Sequence, residues 1–550
     1  MKAWWKGGSP WIWLTGGAVT VSMIMVFGLI VLILVRGFGA FWPHAVLEAR
    51  YLLPDGSEQA VFGELRRSET ITAEALRDAG QPVPEGRQVM TRHQIKLGNR
   101  DVTGRDFAMF IGPFMTEWTY PADATVLERR EWGDFYGRPL RLLEDGQVVA
   151  EGAALWPLLQ ERIAHSNSLF AQIRRLERGD IGRINYAIER VRLDRRRAVL
   201  RGTLTPEVER ELEARLQALQ AEYRTLEEEL DALYARAARG SLVMQVATGE
   251  EVTISLRQIV KAWQPNTMSL FAKVGFYLSD FRDFILGYPR EANTEGGIFP
   301  AIFGTVVMVL VMSVIVTPFG ILAAIYLREY ARQGPLLRAI RISVYNLAGV
   351  PSIVFGVFGL GFFVYFVGGA VDRAFFPEAL PAPTFGTPGL FWASLTLALL
   401  TLPVVIVSTE EGLARIPSTI RHGSLALGAT KGETLWKVVV PLATPAMMTG
   451  LILAIARAAG EVAPLMLVGV VKLAPTLPID GNFPFLHLER KIMHLGFHIY
   501  DVGFQSPHAE AAEQLVYATA LVLVLIIVIL NLTAIMVRNH LREKFRSEGD

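Results

Sequence analysis

The chain has 550 residues, of which 51% are hydrophobic, with positive mean hydropathy and a formal net charge of +1. That balance points to an integral membrane chain with a soluble portion, and the near-neutral charge gives no reason to expect nucleic acid or an acidic partner. There is no cysteine, which excludes a disulfide framework and a thiolate metal site but leaves the compartment open.

The first apolar run, Trp11 to Val35, follows Lys2 and Lys6. Its roughly 25 residues exceed a signal-peptide core and suit a membrane span, with a cleaved signal near Gly39-Ala40 as the alternative. Trp4, Trp5, Trp11, Trp13 and Trp42 lie near its ends, where an interfacial belt would put them. Residues 44–296 belong to a different solvent regime: they are charged and lack a long apolar run. Turn signals at Pro54-Asp55-Gly56, Glu144-Asp145-Gly146 and Thr248-Gly249-Glu250 predict hairpins. Thr205 is suited to an N-cap with Pro206 at the first helical position. Leu212, Leu216, Leu219, Tyr223, Leu226, Leu230 and Leu233 then alternate spacings of four and three, a heptad seam. A helix from Pro206 to Arg239 would be roughly 50 Å long. The segment 169–200, with Ile184, Ile188 and Val191 on one side, is its expected antiparallel partner. An α+β domain with a helical hairpin over about 165–239 is expected, in preference to an intermolecular coiled coil.

Further spans are expected over 298–327, 343–369 and 390–409, then over a fifth segment beginning near Pro445, and over 514–537. Pro318, Pro351 and Pro464 are the expected helix breaks, and Gly356, Gly359 and Gly361 allow close helix packing. Between the fourth and fifth spans lies a polar stretch, residues 410–441. Its part RHGSLALGATKGETLWKVVVP has Leu425, Leu435 and Trp436 among its apolar positions and Arg421, His422, Lys431, Glu433 and Lys437 as a wet side. Gly428 ends one short helix, and Pro441 is expected to end the second. The fifth span places Arg457 and Glu461 four residues apart in an apolar run, which puts both on one helix face. Arg457 falls about 18 Å into that span, near the middle of a hydrocarbon core of about 30 Å. Each such charge costs on the order of 2.5–3.5 kcal/mol to insert and marks a pathway or a structural ion pair. The sequence thus divides into residues 1–43, 44–296 and 297–550, a polytopic all-α membrane protein of about six helices with one extra α+β domain.

The helix–Gly428–helix between two spans resembles the EAA coupling loop of ABC importer permeases. The Gly428 and Val440-Pro441 positions match, whereas the E-A-A position reads His422-Gly423-Ser424 and lacks the glutamate. The string RAAGEVAPL, from Arg457, is similar to the R-A-x-G-E-x-A-P-L run of phosphate ABC transporter permeases of the PstA type. Pro318-Phe319-Gly320, Tyr326-Leu327-Arg328-Glu329-Tyr330 and Gly349-Val350-Pro351-Ser352 also look like that family, and the resemblance covers about 296–538. Val407 stands where many members have an arginine. The resemblance implies a fold of the ABC importer permease type and a role in ATP-driven phosphate import. It also implies a second permease subunit, nucleotide-binding ATPase subunits that bind the ATP, and an extracytoplasmic phosphate-binding protein. It makes His422, Gly423, Ser424, Leu425, Gly428, Leu435, Trp436 and Pro441 the contact with the ATPase, and Arg457 and Glu461 the translocation pathway.

Arg/Lys-bearing short loops after the second and fourth spans, and at the C-terminus, put both termini in the cytoplasm and residues 44–296 outside a cytoplasmic (inner) membrane. No phosphate-binding G-x-x-x-x-G-K-[ST] string occurs, so no cofactor is expected on this chain. His494 and His498, with His487 nearby, are expected on an interfacial amphipathic helix in preference to a metal site. The alternatives that remain are a permease for molybdate or sulfate, and a membrane-anchored sensor using the extracytoplasmic domain.

Overall fold

The computed structural model describes residues 9–53, 55–78, 83, 86, 88–506 and 509–547. Lys2, Trp4, Trp5, Lys6 and Pro54 lie outside them. Among the described residues six helices are long and apolar enough to cross a membrane: Trp11–Gly39, Phe299–Tyr330, Ser352–Phe375, Leu390–Ala414, Lys431–Gly460 and Glu513–Glu543. They fall in one of two units, built from residues 1–40, 298–376 and 381–550; residues 41–297 with 377–380 form the other.

The fourth span, Leu390–Ala414, is the most enclosed helix of the membrane unit. Leu397, Leu400 and Val405 pack with Met308, Val309 and Met312 of the second span and with Ala454, Ala458 and Ala459 of the fifth. Small residues permit this approach where hydrocarbon gives little drive for helices to associate. A Cβ on Gly320 would lie 2.5 Å from Val405, one on Gly412 2.4 Å from Ala446, and one on Gly450 2.7 Å from Ser408. The first span packs on the sixth, with Gly37 against Leu521 and Arg36 beside Glu513 at 3.7 Å.

Prolines act differently from expectation. The helix Phe299–Ile325 runs through Pro318 without a break. A proline strands one carbonyl, and an apolar helix tolerates this when the rest of its ladder holds. Ser313 and Thr317 add hydroxyl bonds to the carbonyls of Val309 and Ser313 at 2.7 and 2.6 Å. Pro351 does break its helix: Pro335–Leu347 ends and a new helix starts at Ser352, so the expected single span over 343–369 is two helices. The residue before a proline is pushed out of helical conformation, which places the break here. Pro441 ends nothing, because the helix is continuous from Lys431 to Gly460. A wider π-type turn, Leu435–Val439, precedes the proline and gives its ring room. Among the three glycines of the third span, a Cβ on Gly356 would sit 2.7 Å from Pro464 and one on Gly359 2.4 Å from Thr396. Among the described residues Gly361 has nothing within 4 Å of an added Cβ, so it serves no close approach here.

The second unit holds two antiparallel sheets and a ribbon. The strands are β1 (Val46–Leu52), β2 (Glu58–Thr72), β3 (Val89–Lys96), β4 (Phe107–Ile111), β5 (Met115–Thr119), β6 (Thr125–Arg129), β7 (Phe135–Glu144), β8 (Gln147–Glu151), β9 (Gly240–Gln245), β10 (Glu251–Ser255) and β11 (Ile259–Trp263). One sheet has the order β4-β3-β2-β1-β5; the other runs β10-β9-β7-β6-β11, with β8 also on β7. The turns at Asp55-Gly56, Asp145-Gly146 and Gly249 join β1 to β2, β7 to β8 and β9 to β10, each with a glycine at positive φ. Between β8 and β9 the chain makes a helical hairpin. Helix Leu155–Arg175 continues through a π-type turn, Leu176–Ile181, into Gly182–Leu200, and Pro206–Ala237 returns. The hairpin begins ten residues before position 165, because Leu155, Leu159 and Ile163 cover the second sheet's core. Thr205 Oγ1 accepts from the Val208 amide, as a cap should. Leu169, Ile173 and Leu176 pack against Leu233 and Ala237 at the hairpin base, so the leucine seam meets its own chain.

Candidate translocation site and coupling loop

The polar stretch after the fourth span folds as helix Ser418–Ala426, a turn with Gly428 at φ +90°, and a helical start at Lys431. Thr430 Oγ1 accepts from the Glu433 amide while the Glu433 carboxylate accepts from the Thr430 amide, a reciprocal cap. The sequence signal for that cap is T-K-G-E, Thr430 to Glu433. Arg421 is not on the wet side. Its guanidinium donates to the Leu413 and Ile416 carbonyls and to Glu329 Oε1, each at 2.9 Å. Lys431 Nζ donates to the Glu329 carbonyl at 2.7 Å and sits 4.9 Å over the Tyr330 ring. A second tie, Arg341 to Glu410 at 2.9 Å, joins the short helix Pro335–Leu347 to the end of the fourth span. Glu329 precedes Arg421 by 92 residues, and local pattern carries no signal for such a pair.

Of the expected contact residues, His422 and Gly423 are exposed, and Ser424 Oγ lies 2.9 Å from Thr434 Oγ1. Leu425 and Trp436 are exposed. Leu435 is not an anchor: it is 3% exposed and packs with Ile325, Leu413, Val439 and Met447. Leu427, beside Gly428, is 91% exposed. An apolar side chain so open to solvent, on a clamped turn, is suited to fill a pocket on another protein.

Arg457 lies in the last turn of the fifth helix, which stops at Gly460. Glu461 is extended, at φ −78° and ψ 136°, so the two residues do not share a helix face as the spacing predicts. Pro464 blocks continuation, and a four-residue helix, Leu465–Val468, follows. The pair still meets, Arg457 Nε to Glu461 Oε1 at 3.4 Å, with side chains 35% and 20% exposed. This is a loose ion pair, since among the described residues Arg457 Nε has no hydrogen-bond acceptor. Depth follows from register. Gly412 faces Ala446 and Gly450 faces Ser408. Continuing that antiparallel pairing sets Arg457 level with Thr401, about 17 Å from the Leu390 end of the fourth helix.

Past the break the chain is held by backbone bonds. Gly389 N–H bonds the Val468 carbonyl and Val471 N–H the Ile492 carbonyl, at 3.0 and 2.9 Å. The histidines that follow are buried, not interfacial. His494 Nδ1 accepts from the Gly496 and Phe497 amides, capping the helix Leu495–Tyr500, and burial pushes its pKa down to about 4. His498 is likewise pushed down to about 4, chiefly by burial, with nearby Asp501 opposing the shift and Lys472 adding to it. His487 lies between Asp480 and Glu489, at 2.9 and 3.1 Å. Among the described residues no group of three or more metal-ligating side chains is assembled.

Residues 316–547 match the family model of the binding-protein-dependent transport system inner membrane component. The phosphate transport system permease protein PstA of Mycobacterium leprae is 36% identical over 40% of this chain and 68% of its own length. PstA 1 of Mycobacterium tuberculosis is 34% identical over 44% of this chain and 71% of its own, and PstA of Yersinia pestis 33% over 45% and 74%. The chain belongs to this family of inner membrane permeases, and within it to the PstA type. It is a multi-pass membrane protein and a permease, and the segment matching the family model begins after the sheet-rich unit.

Proposed function

We propose that this chain is a transmembrane subunit of an ATP-driven phosphate importer, forming the pathway with a second permease subunit. The observation that carries the reading is the 36% identity with a phosphate permease over 226 residues. Arg457 is the transient phosphate contact and Glu461 its counter-charge, at a helix break where backbone and side chains are freed from the helical ladder. An extracytoplasmic phosphate-binding protein delivers the anion. ATP is bound by ATPase subunits, which receive the loop around Gly428, and this chain needs no cofactor. Six helices alone do not enclose an alternating-access path, which favours a paired arrangement.

In membranes holding the whole complex, labelled phosphate should enter only with the binding protein and ATP both present. Uptake of molybdate or sulfate in its place would keep the permease and replace the substrate. Orientation is part of the same proposal: both termini are cytoplasmic in the inner membrane, and residues 44–296 are extracytoplasmic. The absence of native cysteine makes labelling clean. Glu229→Cys, on the exposed side of the return helix, should react with an impermeant maleimide from outside intact cells. Reaction only after the cytoplasmic face is opened would reverse the topology.

A further inference from the structure

The sheet-rich unit carries a group of arginines that transport through the membrane unit does not use. A cavity of about 460 Å³ is lined by Arg130, Arg174, Arg257 and Arg290, with Phe170 and Tyr234 among its walls. Arg130 stacks 3.5 Å over the Phe170 ring and Arg174 lies 5.4 Å from the same ring, so the two guanidinium carbons are within about 9 Å of each other. Arg178 adds a further cation 4.3 Å over Tyr288, a ring that Arg174 also approaches at 5.7 Å.

The surrounding carboxylates have partners of their own, one of them the cavity's Arg290. Glu128 pairs with Arg290, Glu291 with Arg100 and the Gly133 amide, and Glu177 accepts from the Tyr234 hydroxyl. Glu131 is exposed at the rim. Among the described residues no carboxylate lies within ion-pair distance of Arg130, Arg174 or Arg257. Arg130 is instead oriented by neutral partners, the Arg257 carbonyl at 3.0 Å and Asn167 Oδ1 at 2.7 Å. Burial, with Arg290 and Arg174 beside it, pushes the Arg130 guanidinium down to about 10, and Arg174 is lowered by burial and by Arg178 and Arg290. Like charges are thus held together at a cost that an anion between them would remove. Guanidinium groups lining one cavity suit an oxyanion with several acceptor oxygens.

We infer that this cavity binds a phosphate group, a second oxyanion site outside the membrane helices. The inference is independent of the pathway reading, because the site uses no residue of the membrane unit. The test is calorimetric titration of the full-length chain in nanodiscs at low salt, with inorganic phosphate and, separately, glycerol phosphate. The tighter of the two names the source of the group. Arg174→Gln with Arg257→Gln removes two cations whose side chains make no hydrogen bond among the described residues, and should weaken binding at least tenfold. Arg457→Gln should leave this binding unchanged, which separates the site from the pathway. The single exposed Arg257→Gln keeps the comparison readable if the double variant does not fold. No saturable binding of either phosphate, or binding that the cavity variants leave at wild-type strength, would overturn the inference.

Discussion

Arg457→Gln abolishes phosphate uptake while the subunit still inserts and copurifies with its ATPase. The expected loss is at least a hundred-fold. A charge-assisted fork to a phosphate is worth about 3 kcal/mol, and each 1.4 kcal/mol is about tenfold in rate. Assembly should survive because Arg457 is only loosely engaged. Its Nε stands 3.4 Å from Glu461 without a hydrogen bond, and the packing of the fifth span on the fourth is made by Ala454, Ala458 and Ala459. The rival role is a structural ion pair. Exchanging the charges, Arg457→Glu with Glu461→Arg, separates the two. A structural pair tolerates exchange, whereas a pathway contact does not. The exchange moves the guanidinium from the last helical turn onto the extended residue beyond Gly460, where it approaches from a different direction. Full uptake in the exchanged protein would remove the pathway role from these positions.

Gly428→Val is expected to uncouple the transporter without unfolding it. At φ +90° a β-branched residue is strained by about 2 kcal/mol or more, although no neighbour stands within 4 Å of the added Cβ. The strain is relieved by turning the loop, which re-aims Leu427 next to it. The clamp of Arg421 and Lys431 on Glu329 holds the rest of the loop in place, so the membrane unit persists. Leu427→Asp tests the anchor itself. Burying one leucine in a partner's pocket contributes about 1.5–3 kcal/mol, roughly ten- to a hundred-fold in affinity. Recovery of the ATPase on affinity-tagged permease should fall by that order in Leu427→Asp, and phosphate uptake should fall to background in both variants. Wild-type uptake and recovery in both would make the loop a passive connection.

Much of the architecture was legible because the relevant physics is local. Apolar length marked six spans, and heptad spacing from Leu212 to Leu233 marked the return helix of the hairpin. Thr205-Pro206 marked its start, and the Asp-Gly turns marked strand pairs. The string from Arg457 to Leu465 pointed to the permease family, which the relatives then bore out. Prolines were the least reliable guide. Pro318, Pro351, Pro441 and Pro464 look alike in a sequence, yet two lie within continuous helices and two mark breaks. The outcome depends on whether neighbouring turns can widen or supply other bonds, and on what packs against them.

What the sequence by itself determined were the properties carried by composition, periodicity and short motifs: a six-span permease with an inserted α+β unit, a glycine turn between helices, and one charged pair in the fifth span. How those groups are used depended on the packing of distant elements. It buried Leu435 and left Leu427 open, because side-chain direction in the loop follows from the Glu329 clamp formed across 92 residues. It ended the fifth helix between Arg457 and Glu461, so the pair is loose and not stacked on one face. It also brought Arg130, Arg174, Arg257 and Arg290 to one cavity, from the end of β6, the helix Leu155–Arg175, a short 3-10 turn and a two-residue ribbon strand. Contacts between residues far apart in the chain depend on how whole elements pack, and a local pattern cannot carry them.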